Sequence, residues 1–175
     1  MNPDPDSQSL LAQILLLVVL TLINAFLAAS EIAVVSINKN RIEQKAEDGD
    51  KKAKKILKIL ENPTNFLSTI QVGITLVNIL SGASLADSLA ARLAPYIGTS
   101  TAARSMATFI VLAILTYVSI VFGEHYPKRI AMNNSEEVAM FTSGVIRVLE
   151  VITKPFVWLL SASTNLLSRI TPMTF

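Results

Sequence analysis

The chain has 175 residues, of which 51% are hydrophobic and only 16% are charged. Soluble domains carry roughly 25% charged residues, so this composition favours a membrane protein over a soluble enzyme. The chain has no cysteine and a single histidine, His125, which excludes disulfide frameworks, thiolate metal sites and multi-histidine zinc sites. The net charge of +2 does not distinguish between classes of protein, whereas the positions of the charged residues indicate where membrane spans lie.

Three stretches of the chain contain no Asp, Glu, Lys or Arg, namely residues 7–30, 62–86 and 105–123. A helix needs about 20 mostly apolar residues to cross the hydrocarbon core of a bilayer. The sequence therefore predicts an all-α membrane protein with three transmembrane helices, at about residues 8–37, 64–87 and 104–127. The first stretch lacks the basic start of a signal peptide, because Asp4 and Asp6 precede it, so we predict a retained helix.

The basic residues lie mostly on one side of these predicted spans. The N-terminal tail has none, residues 38–61 are rich in lysine, and residues 87–104 contain only Arg92 and Arg104. Further basic residues follow the third span, at Lys128, Arg129, Arg147, Lys154 and Arg169. Cytoplasmic loops are enriched in Lys and Arg, so we predict a multi-pass protein of the cytoplasmic membrane, with its N-terminus outside and its C-terminus inside.

Amphipathic juxtamembrane helices are predicted at about residues 39–61 and 135–170. The first is broken around residues 48–50, and it either rests on an anionic membrane surface or forms a solvated hairpin. In the second, apolar segments on either side of Lys154 and Pro155 are too short to span comfortably, so we expect separate helices in the inner interface with Trp158 at headgroup level. A re-entrant segment is the alternative.

Each predicted span carries polar or small residues at helical spacing, which places them on one face. These stripes are Asn24, Ala28 and Glu31 in the first span, Gln71, Thr75, Asn78 and Gly82 in the second, and Thr116, Ser119, Gly123 and Pro127 in the third. Such residues often serve helix packing alone. They also predict a shared polar seam at the centre of the bundle.

Glu124 is the acid with the most suggestive neighbourhood. Pro127 lacks an N–H and so frees the carbonyl of Gly123. With Asn78 and a serine hydroxyl, these groups make an all-oxygen set, which suits a hard cation such as Mg²⁺. Glu31 marks either a headgroup boundary or the cavity, and Lys128 is either a positive-inside anchor or a partner for a glutamate.

Three motifs resemble the CorC/CNNM (cyclin M) family of magnesium transporters. They are Ala29–Ala33 (ASEIA), Asn62–Pro63 followed by Phe66–Asn78 (FLSTIQVGITLVN), and Gly123–Glu124 followed by Pro127–Lys128. The resemblance implies a homodimer with an inward-open cavity that holds a largely dehydrated Mg²⁺ and exchanges it for Na⁺. Carried over to this chain, it implies Mg²⁺ ligands at Ser30 or its neighbours, Asn78, Gly123 through its carbonyl, and Glu124.

The cavity predicted around these ligands is lined by a second set of residues, namely Asn24, Glu31, Gln71, Thr75, Ser119, Pro127 and Lys128. Many relatives have serine where this chain has Ala28, and Asn24, one turn earlier, is placed to compensate. Residues 1–175 are expected to form a single transmembrane domain without the cytosolic CBS and C-terminal domains of full-length relatives, so that ATP acts only through those absent domains.

The predicted function is Mg²⁺ transport or efflux coupled to Na⁺. The alternative is a membrane anchor that senses Mg²⁺ without transporting it. The polar seam lacks a nucleophile–base pair, so we expect no enzymatic activity, and we expect no nucleic-acid partner.

Overall fold

The computed structural model describes residues 5–171, with side chains from Ser9 onward. Residues 1–4 and 172–175, which include Asp4 and both ends of the predicted domain, lie outside it. The elements are α1 (Pro5–Ser36), α2 (Lys39–Glu47), α3 (Lys51–Glu61), α4 (Pro63–Ile97), α5 (Thr101–Ile120), a π turn (Val121–His125), α6 (Tyr126–Asn133) and α7 (Ser135–Ile170). Within residues 5–171 every regular element is helical, which confirms the predicted all-α class.

Three helical segments are long and apolar enough to cross a membrane: Ser9–Ser36, Pro63–Ile97 and Thr101–Asn133. Each presents large apolar side chains to its surroundings, among them Leu15 at 62%, Ile79 at 60% and Phe109 at 73% relative exposure. A soluble domain does not leave contiguous apolar faces of this kind in water. The prediction of three membrane-spanning helices is therefore confirmed.

Polar side chains determine where the shorter helices begin. Asn38 accepts a hydrogen bond from the backbone N–H of Arg41, and Asp50 accepts from the N–H groups of Lys52 and Ala53. These caps satisfy donors that have no partner inside the helix. Between α2 and α3, Gly49 has a φ of 96°, a conformation that L side chains rarely adopt, and this turn accounts for the break predicted around residues 48–50.

The second and third helices extend beyond the predicted spans. Helix α4 continues past residue 87 to Ile97 and includes Pro95 in its last turn. The apolar character ends near Ala86, but helix formation depends on backbone and side-chain propensity, and residues 88–94 are rich in Ala and Leu. The third membrane-spanning segment consists of α5, the π turn and α6, which we call the third rod. It likewise continues past residue 127, to Asn133.

Helix α7 is one continuous helix, whereas the sequence predicted an interruption at Lys154 and Pro155. A proline removes one intrahelical hydrogen bond and kinks a helix more often than it ends one when packing supports both sides. Here α7 has buried residues on both sides of the proline, at Ile146 and Val157, which hold the two halves in place. Trp158, predicted at headgroup level, is 70% exposed.

Two apolar clusters hold the helices together. The larger one joins the second half of α1 to the juxtamembrane helices and the start of α4, through residues that include Ile42, Ile56, Phe66, Ile70 and Ile146. The smaller one joins the far half of α4 to α5. Along α4, the polar residue Asn78 therefore lies between the two clusters, which include Ile74 on one side and Leu85 on the other.

A charged contact attaches α2 to the first turn of α7. The Glu136 carboxylate binds Arg41 Nε at 2.9 Å and also pairs with the Lys45 ammonium. We expect Glu136→Gln to loosen α2 and speed its amide hydrogen exchange by a few-fold, because exposed ion pairs contribute about 0.2–1 kcal/mol each. Hydrogen-exchange mass spectrometry measures this change. Glu43→Gln, which removes only the exposed pair with Lys39, is the control, and equal exchange in both variants would contradict the expectation.

Candidate cation site

A cleft of about 270 Å³ lies between α4 and the part of the third rod formed by α5 and the π turn. Its polar residues come from both sides, with Asn78 and Ser81 on α4 and Thr116, Ser119 and Glu124 on the rod. The remaining lining residues are Gly82, Leu112, Leu115 and Ile120. The cleft therefore offers amide, hydroxyl and carboxylate oxygens within a mostly apolar surrounding.

The two sides of the cleft are joined by one polar contact. Ser119 Oγ lies 3.3 Å from Asn78 Oδ1 and donates a hydrogen bond to it. Glu124 is half-buried and forms no ion pair with any residue in the described part of the chain. Its carboxylate is therefore the one negative charge that faces the cleft without a cationic partner.

The π turn explains why Glu124 lies beside Ser119. Five residues along an α-helix advance by 500°, which would place Glu124 about 140° away from Ser119. A π turn bonds residue i to residue i+5, as Tyr126 N–H does to the Val121 carbonyl. The sequence predicted Gly123 on the face of Thr116 and Ser119. In the structure Glu124 lines the cleft with these two residues, and Gly123 packs against Asn24 of α1.

Gly123 faces α1, where it contacts Asn24. A Cβ on Gly123 would lie 2.7 Å from Asn24 Nδ2, which is too close for any residue other than glycine unless the amide moves. Asn24 is only 1% exposed, and neither its amide nitrogen nor its carbonyl oxygen has a hydrogen-bond partner in the described chain. Leaving a buried amide without hydrogen-bond partners costs about 1–3 kcal/mol of stability. A bound ligand that contacts Asn24 would recover part of this cost.

The other predicted site residues are placed around these groups. Ser30 is fully buried, and its hydroxyl donates to the Phe26 carbonyl at 2.7 Å. Like Asn24 and Gly123, it is not among the residues that line the cleft. Glu31 and Lys128 are half-buried and pair at 3.6 Å, which is one of the two roles predicted for Lys128. Gln71 Nε2 donates to Thr75 Oγ1 at 3.3 Å on an exposed face of α4.

Pro127 is buried against the rest of the bundle. Because it lacks an N–H, the α-helical donor to the Gly123 carbonyl is missing.

Sequence reasoning missed Ser81, which lines the cleft three residues after Asn78. Its position on the same helix face was readable from that spacing.

The donor set favours a hard cation. The cleft brings together one carboxylate, one side-chain amide and several hydroxyls, and such oxygens suit Mg²⁺ rather than softer metals. Among the described residues there is no cluster of three or more His, Cys, Asp or Glu side chains. A cation at this site would therefore rely mainly on uncharged oxygens.

We expect Gly123→Ala to lower the free energy of unfolding by about 1–3 kcal/mol, because the new methyl group overpacks against Asn24. Gly144→Ala is the matched control, since a Cβ there meets no atom within 4 Å. In a helix that change stabilises by roughly 0.5–1 kcal/mol. Thermal unfolding of the detergent-solubilised chains compares the two, and equal stabilisation by both would contradict the close Gly123–Asn24 contact.

The chain also matches known proteins. The family model of the cyclin M transmembrane N-terminal domain covers residues 15–173. The chain is 37% identical over 172 residues to UPF0053 protein sll0260 of Synechocystis, and 34% identical over 148 residues to the UPF0053 inner membrane protein YfjD of Escherichia coli. These matches cover 96% and 85% of the chain.

A third relative, 29% identical over 160 residues and matched along 90% of the chain, is named polyamine export protein in Haemophilus influenzae. The chain spans only 38%, 32% and 37% of the lengths of these three proteins. The match to the family model nevertheless extends over nearly all of the chain; apart from the first ten residues of α1, the helices, the π turn and the cleft lie within it. The chain belongs to the cyclin M (CNNM) transmembrane domain family.

Proposed function

We propose that this chain transports Mg²⁺ out of the cell across the cytoplasmic membrane in exchange for Na⁺. The observation that carries the proposal is the arrangement of Asn78 and Glu124 in one cleft, beside a rod whose Gly123 contacts the buried, unpaired amide of Asn24. The proposed ligands are Asn78, the Gly123 carbonyl and Glu124, with Asn24 contributed by α1. Ser30 is the other α1 candidate, and its hydroxyl already serves the Phe26 carbonyl.

Mg²⁺ is the proposed substrate because it takes oxygen ligands at short distances and sheds its water reluctantly. Glu124 would offset part of the cation's charge, while the amides and the carbonyl would replace water. Entry of Na⁺ would drive release, and the membrane potential contributes roughly 2.3 kcal/mol per charge per 100 mV. The distribution of Lys and Arg supports an external N-terminus, and a homodimer is part of the proposal.

Flux into liposomes tests the proposal. The purified chain is reconstituted with a Mg²⁺-sensitive dye inside the vesicles, and Mg²⁺ and Na⁺ gradients are imposed separately and together. Mg²⁺ flux that requires a Na⁺ gradient and disappears in Glu124→Gln supports the proposal. Mg²⁺ binding without flux would favour the alternative, a membrane-anchored Mg²⁺ sensor.

Polyamine transport is tested in the same vesicles, because a relative bears the name polyamine export protein. Putrescine is added at the concentration of Mg²⁺ as a competitor. A strong loss of Mg²⁺ flux, together with uptake of labelled putrescine, would identify an organic cation as the substrate. Unchanged Mg²⁺ flux would support selectivity for the small inorganic ion.

A further inference from the structure

A second polar cavity, of about 470 Å³, lies between the start of α4 and the middle of α7. Its charged residues are Arg147, Glu150 and Lys154, and its uncharged polar residues include Asn65, Trp158 and Ser161. No residue of the cation cleft lines it. The two cavities therefore belong to different parts of the molecule.

The charges in this cavity leave one positive charge unopposed. Arg147 Nη1 lies 2.9 Å from Glu150 Oε2, so these two side chains neutralise each other. Lys154 forms no ion pair or hydrogen bond with any other residue between 5 and 171. An ammonium group of this kind is a compact point charge that suits a phosphate oxygen.

The uncharged donors add to this preference for an anion. The side chains of Asn65, Ser161 and Trp158 make no hydrogen bond to another side chain in the described chain, whereas the Thr69 hydroxyl is occupied by the Asn65 carbonyl. Arg147 also retains N–H groups that its bond to Glu150 does not use. Several free donors and one excess positive charge match the single negative charge of a phosphodiester.

The position of the cavity indicates where such a phosphate would come from. Asn65 lies in the first turn of α4, the second membrane-spanning helix, which begins at Pro63. The end of a span is where lipid headgroups lie, and tryptophan is enriched at that depth. Beside the cavity, α7 exposes Ile152 at 67%, Phe156 at 52% and Leu159 at 53%, an apolar surface that suits acyl chains.

We propose that this cavity binds the phosphate-bearing headgroup of an anionic phospholipid. Lys154 carries the charge recognition, and Trp158 and the neighbouring apolar residues of α7 contact the lipid below its headgroup. The lipid would link α4 to α7 and thereby hold the long juxtamembrane helix at the membrane surface. This assignment is independent of which cation the chain transports.

Native mass spectrometry of the full chain in detergent tests the proposal. Phosphatidylglycerol and phosphatidylcholine are added at equal concentration to the wild type, Lys154→Gln and Lys55→Gln. Lys55 is an exposed lysine of α3 outside the cavity, so its variant loses the same charge elsewhere. We expect phosphatidylglycerol binding to fall about fivefold in Lys154→Gln alone, the usual effect of one basic side chain at an anionic membrane surface.

Two further comparisons sharpen the test. Trp158→Ala should also weaken phosphatidylglycerol binding, and the unfolding midpoint of each variant without lipid shows that it is folded. Equal binding of the two lipids by the wild type, or equal losses in the Lys154 and Lys55 variants, would overturn the proposal. Displacement of the lipid by an equal concentration of glycerol phosphate would overturn the lipid assignment and identify a soluble phosphate ester as the ligand.

Discussion

Glu124→Gln is expected to lower Mg²⁺ affinity by more than about tenfold, since even changes beyond the direct ligands of a metal site cost 10–100-fold. Glutamine keeps the size of the side chain and removes the one carboxylate that faces the cleft without a partner. A ligand at 100 times its Kd stabilises the folded state by about 2.7 kcal/mol. At the same Mg²⁺ concentration a tenfold weaker Kd leaves about 1.4 kcal/mol of stabilisation, so the rise in Tm on adding Mg²⁺ should fall by at least about half in this variant.

Glu137→Gln is the matched control for that experiment. Glu137 is an exposed acid in the first turn of α7 and lies outside the cleft. The Mg²⁺-dependent rise in Tm should be the same in this variant as in the wild type. If Glu124→Gln kept the full rise, Glu124 would not be a ligand, and the proposed site would fail with it.

Asn24→Leu is expected to separate stability from binding. Leucine has nearly the shape of asparagine, and it removes two buried polar atoms that have no hydrogen-bond partner in the described chain. Leaving a buried polar group unsatisfied costs about 1–3 kcal/mol, so the variant should unfold at a higher temperature without Mg²⁺. It should also bind Mg²⁺ more weakly, because α1 then contributes no oxygen beside Gly123.

Ser30→Ala provides the comparison within α1. The Ser30 hydroxyl is hydrogen-bonded to the Phe26 carbonyl, whereas both polar side-chain atoms of Asn24 have no partner in the described chain. We expect Mg²⁺ affinity in this variant to match the wild type. The reverse pattern, with affinity lost in Ser30→Ala and kept in Asn24→Leu, would assign the α1 ligand to Ser30 and show that Asn24 only packs against Gly123.

The three spans were predictable from sequence because a bilayer excludes charged side chains from any helix that crosses it. The ends of the helices were less predictable. Helix α4 continues to Ile97 because a helix does not stop where its apolar character stops. The continuity of α7 through Pro155 depends on packing at Ile146 and Val157, which no local pattern reveals.

The cleft was predictable only in part. Helical spacing predicted Asn78 and Ser119 each on the polar face of its own helix, because both lie in regular α-helix. The π turn that carries Glu124 could not be predicted, because no sequence pattern marks where a helix widens to a π turn. The unsatisfied amide of Asn24 likewise becomes visible only when α1 is packed against the rod.

The π turn also changes the direction in which the side chains of α6 point around the axis of the third rod. It inserts one extra residue into the helix, so everything from Tyr126 to Asn133 is turned by about 100° relative to an uninterrupted α-helix. Removing one residue from the turn would therefore rotate α6 rather than shorten it. That rotation would carry Lys128 away from Glu31 and Pro127 out of the bundle, so a deletion here would disturb α1 as much as the cleft.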